Sequence, residues 1–296
     1  MPIRSNLISA RALQSCIEDP GVNIIDCRFE LSDPLAGRRA YLYEHIPGAV
    51  FADLDLDLAA PVTQDSGRHP LPDVETFATT LARLGISNSS DVIVYDSGAG
   101  SLAARAWWML RWLGHERVRL LDGGIQQWSA EARPLVSGDE VVAAGSFLPR
   151  ANHDKVVTTA ELVSNLDAIQ GMKLIDARDA ARFRGEHEPI DPIAGHIPGS
   201  SNLPFPVSLK DDGSWKSRDE LERLWLEVLG EDKETAWAVM CGSGVTACHL
   251  AISAMEAGYR EPRLYVGSWS EWIRDRERPI ALGDGRKGGL TAADMA

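Results

Sequence analysis

Residues Lys173–Arg178, KLIDAR, decide the fold, because the chain has already used the same pattern about 150 residues earlier, as NIIDCR at Asn23–Arg28. Working outward, HIPG at His45–Gly48 recurs unchanged at His196–Gly199. Two looser matches follow in the same order, Asp91–Asp96 with Ala236–Cys241 and Gly124–Trp128 with Ser268–Trp272. A period this long exceeds that of solenoid repeats, so the chain is predicted to hold two tandem domains of one fold.

Each copy alternates short apolar runs with longer helical stretches. Val92–Tyr95 and Trp237–Met240 are typical of buried strands, and Ala103–Leu113 and Val245–Ala257 of helices. This alternation predicts an α/β fold in which each domain is a mostly parallel sheet flanked by helices. The predicted boundaries are a first domain at 1–138, a linker at 139–150, a second domain at 151–284 and a glycine-rich flexible tail at 285–296.

Composition supports a globular protein of about two domains. Of its 296 residues, 44% are hydrophobic and 25% charged. The formal net charge of -13 argues against nucleic-acid binding, and a small anionic substrate would need cations gathered in one pocket. Four cysteines in this length are expected to be free thiols. With no apolar leader or membrane-length apolar run, we expect a cytoplasmic protein without membrane partners.

The sharpest local feature is CGSGVTAC at Cys241–Cys248, which follows an apolar strand and opens a helix. Gly242 and Gly244 allow close backbone approach, so that the loop amides and the helix N-terminus would hold an anion and favour the thiolate. The alternative is a small buried cysteine that simply ends a strand. The first copy has Asp96 where the thiol would stand, so that copy cannot carry a sulfane sulfur.

The tandem copies, both HIPG motifs and the Cys241 loop resemble the two-domain rhodanese family over nearly the whole chain. Within it the loop resembles that of 3-mercaptopyruvate sulfurtransferases, because Gly242 and Ser243 stand where thiosulfate sulfurtransferases place basic residues. The resemblance implies that Cys241 takes sulfur from a small anionic donor as a persulfide. A thiol, a thioredoxin-like protein or cyanide would then accept it, with no metal or organic cofactor.

The same resemblance implies roles for further residues. Cys241, Ser243, His69 and Asp55 would form the catalytic group. The donor would be bound by Arg182 and by the loop residues Gly242, Gly244, Val245 and Thr246. Each assignment has an ordinary alternative: Arg182 as a surface ion pair, His69 as an exposed loop histidine, and Asp55 as part of the solvated face of a strand.

One position departs from the resembled pattern. The mercaptopyruvate enzymes carry a second substrate arginine in a Glu-Pro-Arg-Asp context, and here Glu188–Asp191 reads EPID. With Ile190 at this position, carboxylate recognition rests mainly on Arg182, and Arg184 is a possible substitute for the missing arginine. The identity of the preferred donor therefore stays open. On this basis Ile190→Arg would lower KM for mercaptopyruvate by about tenfold or more, with less effect on KM for thiosulfate.

Residues shared by both copies are expected to be structural. His45 and His196 belong to turns before buried strands, and Arg28 and Arg178 to fold-stabilising salt bridges. Cys248 and His249 do not match the spacing of a zinc site.

Of three rival functions, the sequence excludes one, a tyrosine phosphatase. A tyrosine phosphatase needs an arginine six positions after its cysteine, and Ala247 stands there. A thiosulfate sulfurtransferase and a non-catalytic persulfide-carrying module remain as alternatives.

Overall fold

The computed structural model describes residues 5–164, 172–284 and 290–291. It divides into two compact units, the first formed by Met1–Pro61, Leu71–His153 and Leu209–Lys216, and the second by Val62–Pro70, Asp154–Ser208 and Ser217–Ala296. The second unit therefore includes a short segment, Val62–Pro70, that the sequence places inside the first repeat.

The first unit contains a parallel five-stranded sheet in the order β1-β5-β4-β2-β3. Its strands are β1 Leu7–Ile8, β2 Val22–Asp26, β3 Ala49–Phe51, β4 Asp91–Tyr95 and β5 Val118–Leu121. The flanking helices are α1 Ala10–Gln14, α2 Ala36–Tyr43, α3 Val74–Arg83, α4 Ala103–Trp112 and α5 Gly124–Ala130. Val92–Tyr95 are all fully buried, as expected for a central strand covered on both sides.

The second unit repeats this order as β6-β10-β9-β7-β8, again fully parallel. Its strands are β6 Val156–Val157, β7 Lys173–Asp176, β8 Ser201–Asn202, β9 Trp237–Met240 and β10 Arg263–Tyr265. The helices are α6 Thr159–Ser164, α7 Ala180–Arg184, α8 Arg218–Leu229, α9 Ala247–Glu256 and α10 Ser268–Trp272. The predicted α/β fold of two tandem domains is confirmed.

Equivalent residues build the two cores. Ile24, Ile46 and Trp128 pack in the first unit, as Leu174, Ile197 and Trp272 do in the second. The HIPG motifs contribute to these cores, because Ile46 and Ile197 are fully buried while His45 and His196 bond through Nδ1 to the carbonyls of Tyr41 and Phe183, each at 2.8 Å. Their roles are structural, as predicted.

The buried salt bridges predicted for the shared arginines are also present. Arg28 contacts Asp26 at 2.6 Å, and Arg178 contacts Asp176 at 2.7 Å. Each guanidinium also donates to a backbone carbonyl at 2.7 Å, of Glu44 and Gly195 respectively. Each arginine thus ties the end of an inner strand, β2 or β7, to the segment leading into the edge strand beside it.

The regions between and after the domains are partly described. Residues of the predicted linker are bonded within the first unit, the amides of Gly145 and Arg150 donating to the carbonyls of Ala82 and Leu113 at 2.8 and 2.9 Å. Of the predicted flexible tail, 285–289 and 292–296 lie outside the described residues, whereas β12 Leu290–Thr291 pairs antiparallel with β11 Pro279–Ile280. No helix in the described ranges has the length and apolar character that crossing a membrane requires.

Candidate active site

Cys241 directly follows β9 and is almost completely buried, with 2% of its surface exposed. Its amide donates to Oγ of Ser268 at 3.1 Å, and its carbonyl accepts from the amide of Trp269 at 3.1 Å. The carbonyl of Gly242 accepts from Ser270 at 2.9 Å. The first turn of α10 thus fixes the position of the cysteine in the backbone.

Steric constraints explain why residue 244 is a glycine. Gly244 has a φ of 73°, which disfavours any residue with a β-carbon. A β-carbon there would also collide with the carbonyl oxygen of Val266. Val245 and Thr246 then lead into α9, their carbonyls accepting from Cys248 at 3.1 Å and His249 at 3.2 Å. The chain therefore makes the tight turn from strand to helix that the sequence predicts.

The equivalent loop of the first unit contains its own anion. Oδ1 of Asp96 accepts from the amides of Gly98 and Gly100 at 3.0 and 2.9 Å, and Oδ2 from Leu102 and Ala103 at 2.9 and 3.2 Å. This loop type can therefore direct several amides at one negative group. In the first unit the group is a buried side chain, which leaves that loop without the nucleophile.

His69 and Ser243 lie together in the second unit. Nδ1 of His69 and Oγ of Ser243 share a hydrogen bond of 2.8 Å, and both residues are buried. His69 belongs to the Val62–Pro70 segment. Asp55 is an exposed residue of the first unit whose amide donates to Oδ1 of Asp53 at 2.8 Å, so its catalytic role stays a prediction.

Two arginines approach the cysteine loop. A β-carbon placed on Gly242 would lie 2.9 Å from Nη2 of Arg68 and 3.5 Å from Nη2 of Arg182. Asp191 joins the two, because its Oδ1 accepts from Arg68 and its Oδ2 from Arg182, the latter at 3.1 Å. Two positive side chains therefore stand over the loop of an acidic protein.

Two buried carboxylates hold these arginines. Both oxygens of Glu188 accept from Nε of Arg182 at 3.0 Å. Burial would raise the pKa of Glu188, but hydrogen bonds from Arg182 and from the amides of Asp191 and Ile190 bring the net pKa below its ordinary value. Burial raises the pKa of Asp191, against the opposing effect of the Arg68 charge.

Arg184, considered as the substitute for the second cation, is held by a carboxylate of its own segment. The side chain of Arg184 is paired with Glu186, through Nε at 2.7 Å and Nη2 at 2.8 Å. Ile190 is 43% exposed. The pattern of the sequence did not single out Arg68, although this residue adjoins His69 in a segment already assigned to the site.

Cys248 and His249, the other thiol and imidazole near the loop, are packed inside the second unit. Cys248 is buried in α9 with Sγ 3.5 Å from the carbonyl of Gly244, and His249 is buried with its ring edge against Phe205. Throughout the part of the chain that the structure describes, no group of three or more His, Cys, Asp and Glu side chains is placed to hold a metal ion.

Comparison with known proteins places this geometry in context. The model of the rhodanese-like domain matches residues 9–131 and 158–275. The chain is 44% identical to a probable 3-mercaptopyruvate sulfurtransferase of Pseudomonas aeruginosa, over 95% of this chain and 99% of that protein. It is 38% identical to a putative thiosulfate sulfurtransferase, SseB, of Mycobacterium tuberculosis, over 94% and 97% respectively.

Among solved structures, the chain is similar to crystalline SseA, a 3-mercaptopyruvate sulfotransferase of Escherichia coli. The TM-score is 0.78 at 34% identity, covering 90% of this chain and 100% of that one.

Proposed function

Because this chain belongs to the rhodanese-like family and is a sulfurtransferase, we propose that it takes sulfur from 3-mercaptopyruvate and carries it as a persulfide on Cys241. The observation that carries the proposal is the position of Arg182 and Arg68 beside Gly242, next to the only loop of the repeat with a thiol. Two guanidinium groups suit a donor that has a carboxylate close to its reactive sulfur.

The first half-reaction forms a sulfur–sulfur bond and breaks a carbon–sulfur bond. The thiolate of Cys241 attacks the donor sulfur, and the electron pair of the C–S bond leaves as the enolate of pyruvate. Ser243, hydrogen-bonded to His69, gives the proton that converts the enolate to pyruvate. The products are pyruvate and the Cys241 persulfide, with no net oxidation.

The second half-reaction regenerates the enzyme. A thiolate, a thioredoxin-like protein or cyanide attacks the outer sulfur and leaves Cys241 as a thiolate. We place this chemistry in the cytoplasm, where small thiols and thioredoxins are reduced. No metal or organic cofactor takes part.

A second donor, thiosulfate, is favoured by the 38% identity to the putative thiosulfate sulfurtransferase. Thiosulfate has no carboxylate, and its oxygens sit on the atom bonded directly to the transferred sulfur, so the arginines would have to bind it in a different position. The two donors are therefore separable by kinetics on one preparation.

The test is intact-mass measurement after brief exposure to each donor. We expect the wild type to gain one sulfur atom from mercaptopyruvate, Cys241→Ser to gain none, and Cys248→Ser to gain it normally. A wild type that gains no sulfur from either donor would overturn both donor assignments and the Cys241 persulfide. Preferential loading by thiosulfate would identify that compound as the donor.

A further inference from the structure

We propose that Arg68 is the second carboxylate-binding cation of the site, in place of the arginine that Ile190 removes. This inference rests on the proposed function, since it assigns the donor class of the same site to carboxylates with a nearby sulfur. Arg68 lies outside Arg182–Asp191, the stretch in which the sequence pattern places the carboxylate-binding arginines.

The Nη2 end of the Arg68 guanidinium faces the loop. Nη1 donates to Asp191, whereas Nη2 is the atom nearest the β-carbon position of Gly242, at 2.9 Å. Nε, on the same edge of the guanidinium as Nη2, is buried and has no hydrogen-bond partner among the described residues. A buried charged donor without a partner is costly, and the Nε–Nη2 edge matches the two oxygens of a carboxylate.

Arg68 is positioned by the same elements that position the nucleophile. Its amide donates to Oγ of Ser270 at 3.1 Å, and a β-carbon on Gly67 would lie 2.6 Å from the carbonyl oxygen of Gly267. Ser268, between these two contacts, accepts from the amide of Cys241. The start of α10 therefore sets the distance between the thiol and the Arg68 guanidinium.

Asp191 orients the pair of cations. By accepting from Arg68 on one oxygen and from Arg182 on the other, it keeps two like charges side by side at Gly242. Glu188 binds Nε of Arg182, so the second arginine also has a fixed plane. A donor carboxylate entering here meets N–H groups of both arginines without their having to reorganise.

This arrangement changes the expectation for Ile190→Arg. With Arg68 in place, that substitution alone should change KM for mercaptopyruvate little. In an Arg68→Ala background it should recover part of the lost affinity, since it would return a second cation to the Glu188–Asp191 stretch that contacts Arg182.

The experiment uses two alkylating agents that differ mainly in charge. Iodoacetate has a carboxylate beside its reactive carbon and iodoacetamide is its neutral counterpart, so the ratio of their rates at Cys241 reports the cations near the thiol. We expect Arg68→Ala to lower this ratio and to raise KM for mercaptopyruvate by about tenfold or more, with a smaller effect on kcat. Arg68→Lys, which can keep the ion pair with Asp191 but lacks the bidentate edge, should give an intermediate KM.

Arg274→Ala is the matched control, because Nε of Arg274 donates to the carbonyl of Ser66 at 3.1 Å and so anchors the same segment. It should leave the alkylation ratio unchanged. If Arg68→Ala also leaves the ratio and KM unchanged, or if Arg274→Ala lowers the ratio equally, the inference is overturned. A wild type that takes no sulfur from mercaptopyruvate would instead refute the proposed function, while the alkylation ratio would still report on Arg68.

Discussion

Nδ1 of His69 lies 2.8 Å from Oγ of Ser243, and both side chains are buried beside the turn that carries Cys241. The two residues are 174 positions apart in sequence, yet they form one polar pair. A serine hydroxyl fixed in this way can give its proton to a departing enolate and be reprotonated through the imidazole.

This pair makes Ser243→Ala a test of proton transfer. We expect kcat for mercaptopyruvate to fall by roughly 10²- to 10⁴-fold, the range of general acid catalysis, with little change in KM. Steady-state kinetics on both donors measure it. An unchanged kcat would make Ser243 a residue that only shapes the loop, and His69 would lose its connection to the reaction.

The discontinuous second unit predicts the behaviour of a fragment. A segment from Ala151 onward contains Cys241 but lacks Val62–Pro70, and with it Arg68 and His69. We expect such a fragment to be inactive in sulfur transfer. The same assay on the full chain is the control, and activity in the fragment comparable with that of the full chain would contradict the roles given to both residues.

The Asp96 loop predicts a stability effect without an effect on catalysis. Asp96→Asn removes the charge that four amides stabilise and turns an NH2 group toward some of these donors. Hydrogen bonds to charged groups contribute about 1.5–3 kcal/mol, so the free energy of unfolding should fall by an amount of this order. Urea denaturation measures it.

Asp211→Asn, at an exposed position of the first unit, is the control for the loss of one carboxylate and should change stability little. Sulfur transfer should be normal in both folded variants, because the first loop has no thiol. A stability of Asp96→Asn equal to that of the wild type would show that the charge of Asp96 on these four hydrogen bonds contributes nothing to the stability of the fold.

Ser268 gives a further prediction. It has a φ of 52°, uncommon for a residue with a side chain, and its Oγ accepts from the amide of Cys241 and donates to the carbonyl of Tyr265 at 2.8 Å. Ser268→Ala leaves the buried Cys241 amide without this acceptor, and should slow iodoacetamide alkylation or sulfur loading of Cys241 without changing the donor preference. Equal rates in the variant and the wild type would show that the bond does not position the thiol.

The sequence by itself determined the fold class and the loop that carries the thiol. The repeat of KLIDAR, HIPG and the strand–loop–helix pattern is written along the chain, and buried strands and helices follow from the local order of apolar residues. It also separated the two loops, since a carboxylate at Asp96 and a thiol at Cys241 are different chemistry whatever surrounds them. The grouping of His69 with Ser243 came from family resemblance rather than from any local pattern.

Only the tertiary structure decided where the second cation lies. Arg68 and Asp191 are 123 positions apart and both sit in irregular segments, where no periodicity reports which way a side chain faces. The close approach of Gly67 to Gly267, and the space that Gly242 leaves for a guanidinium, arise from the packing of three separate loops. An ion pair of this kind depends on distances that the order of residues does not contain. The missing arginine at Ile190 was therefore visible in the sequence, whereas the proposed role of Arg68 was not.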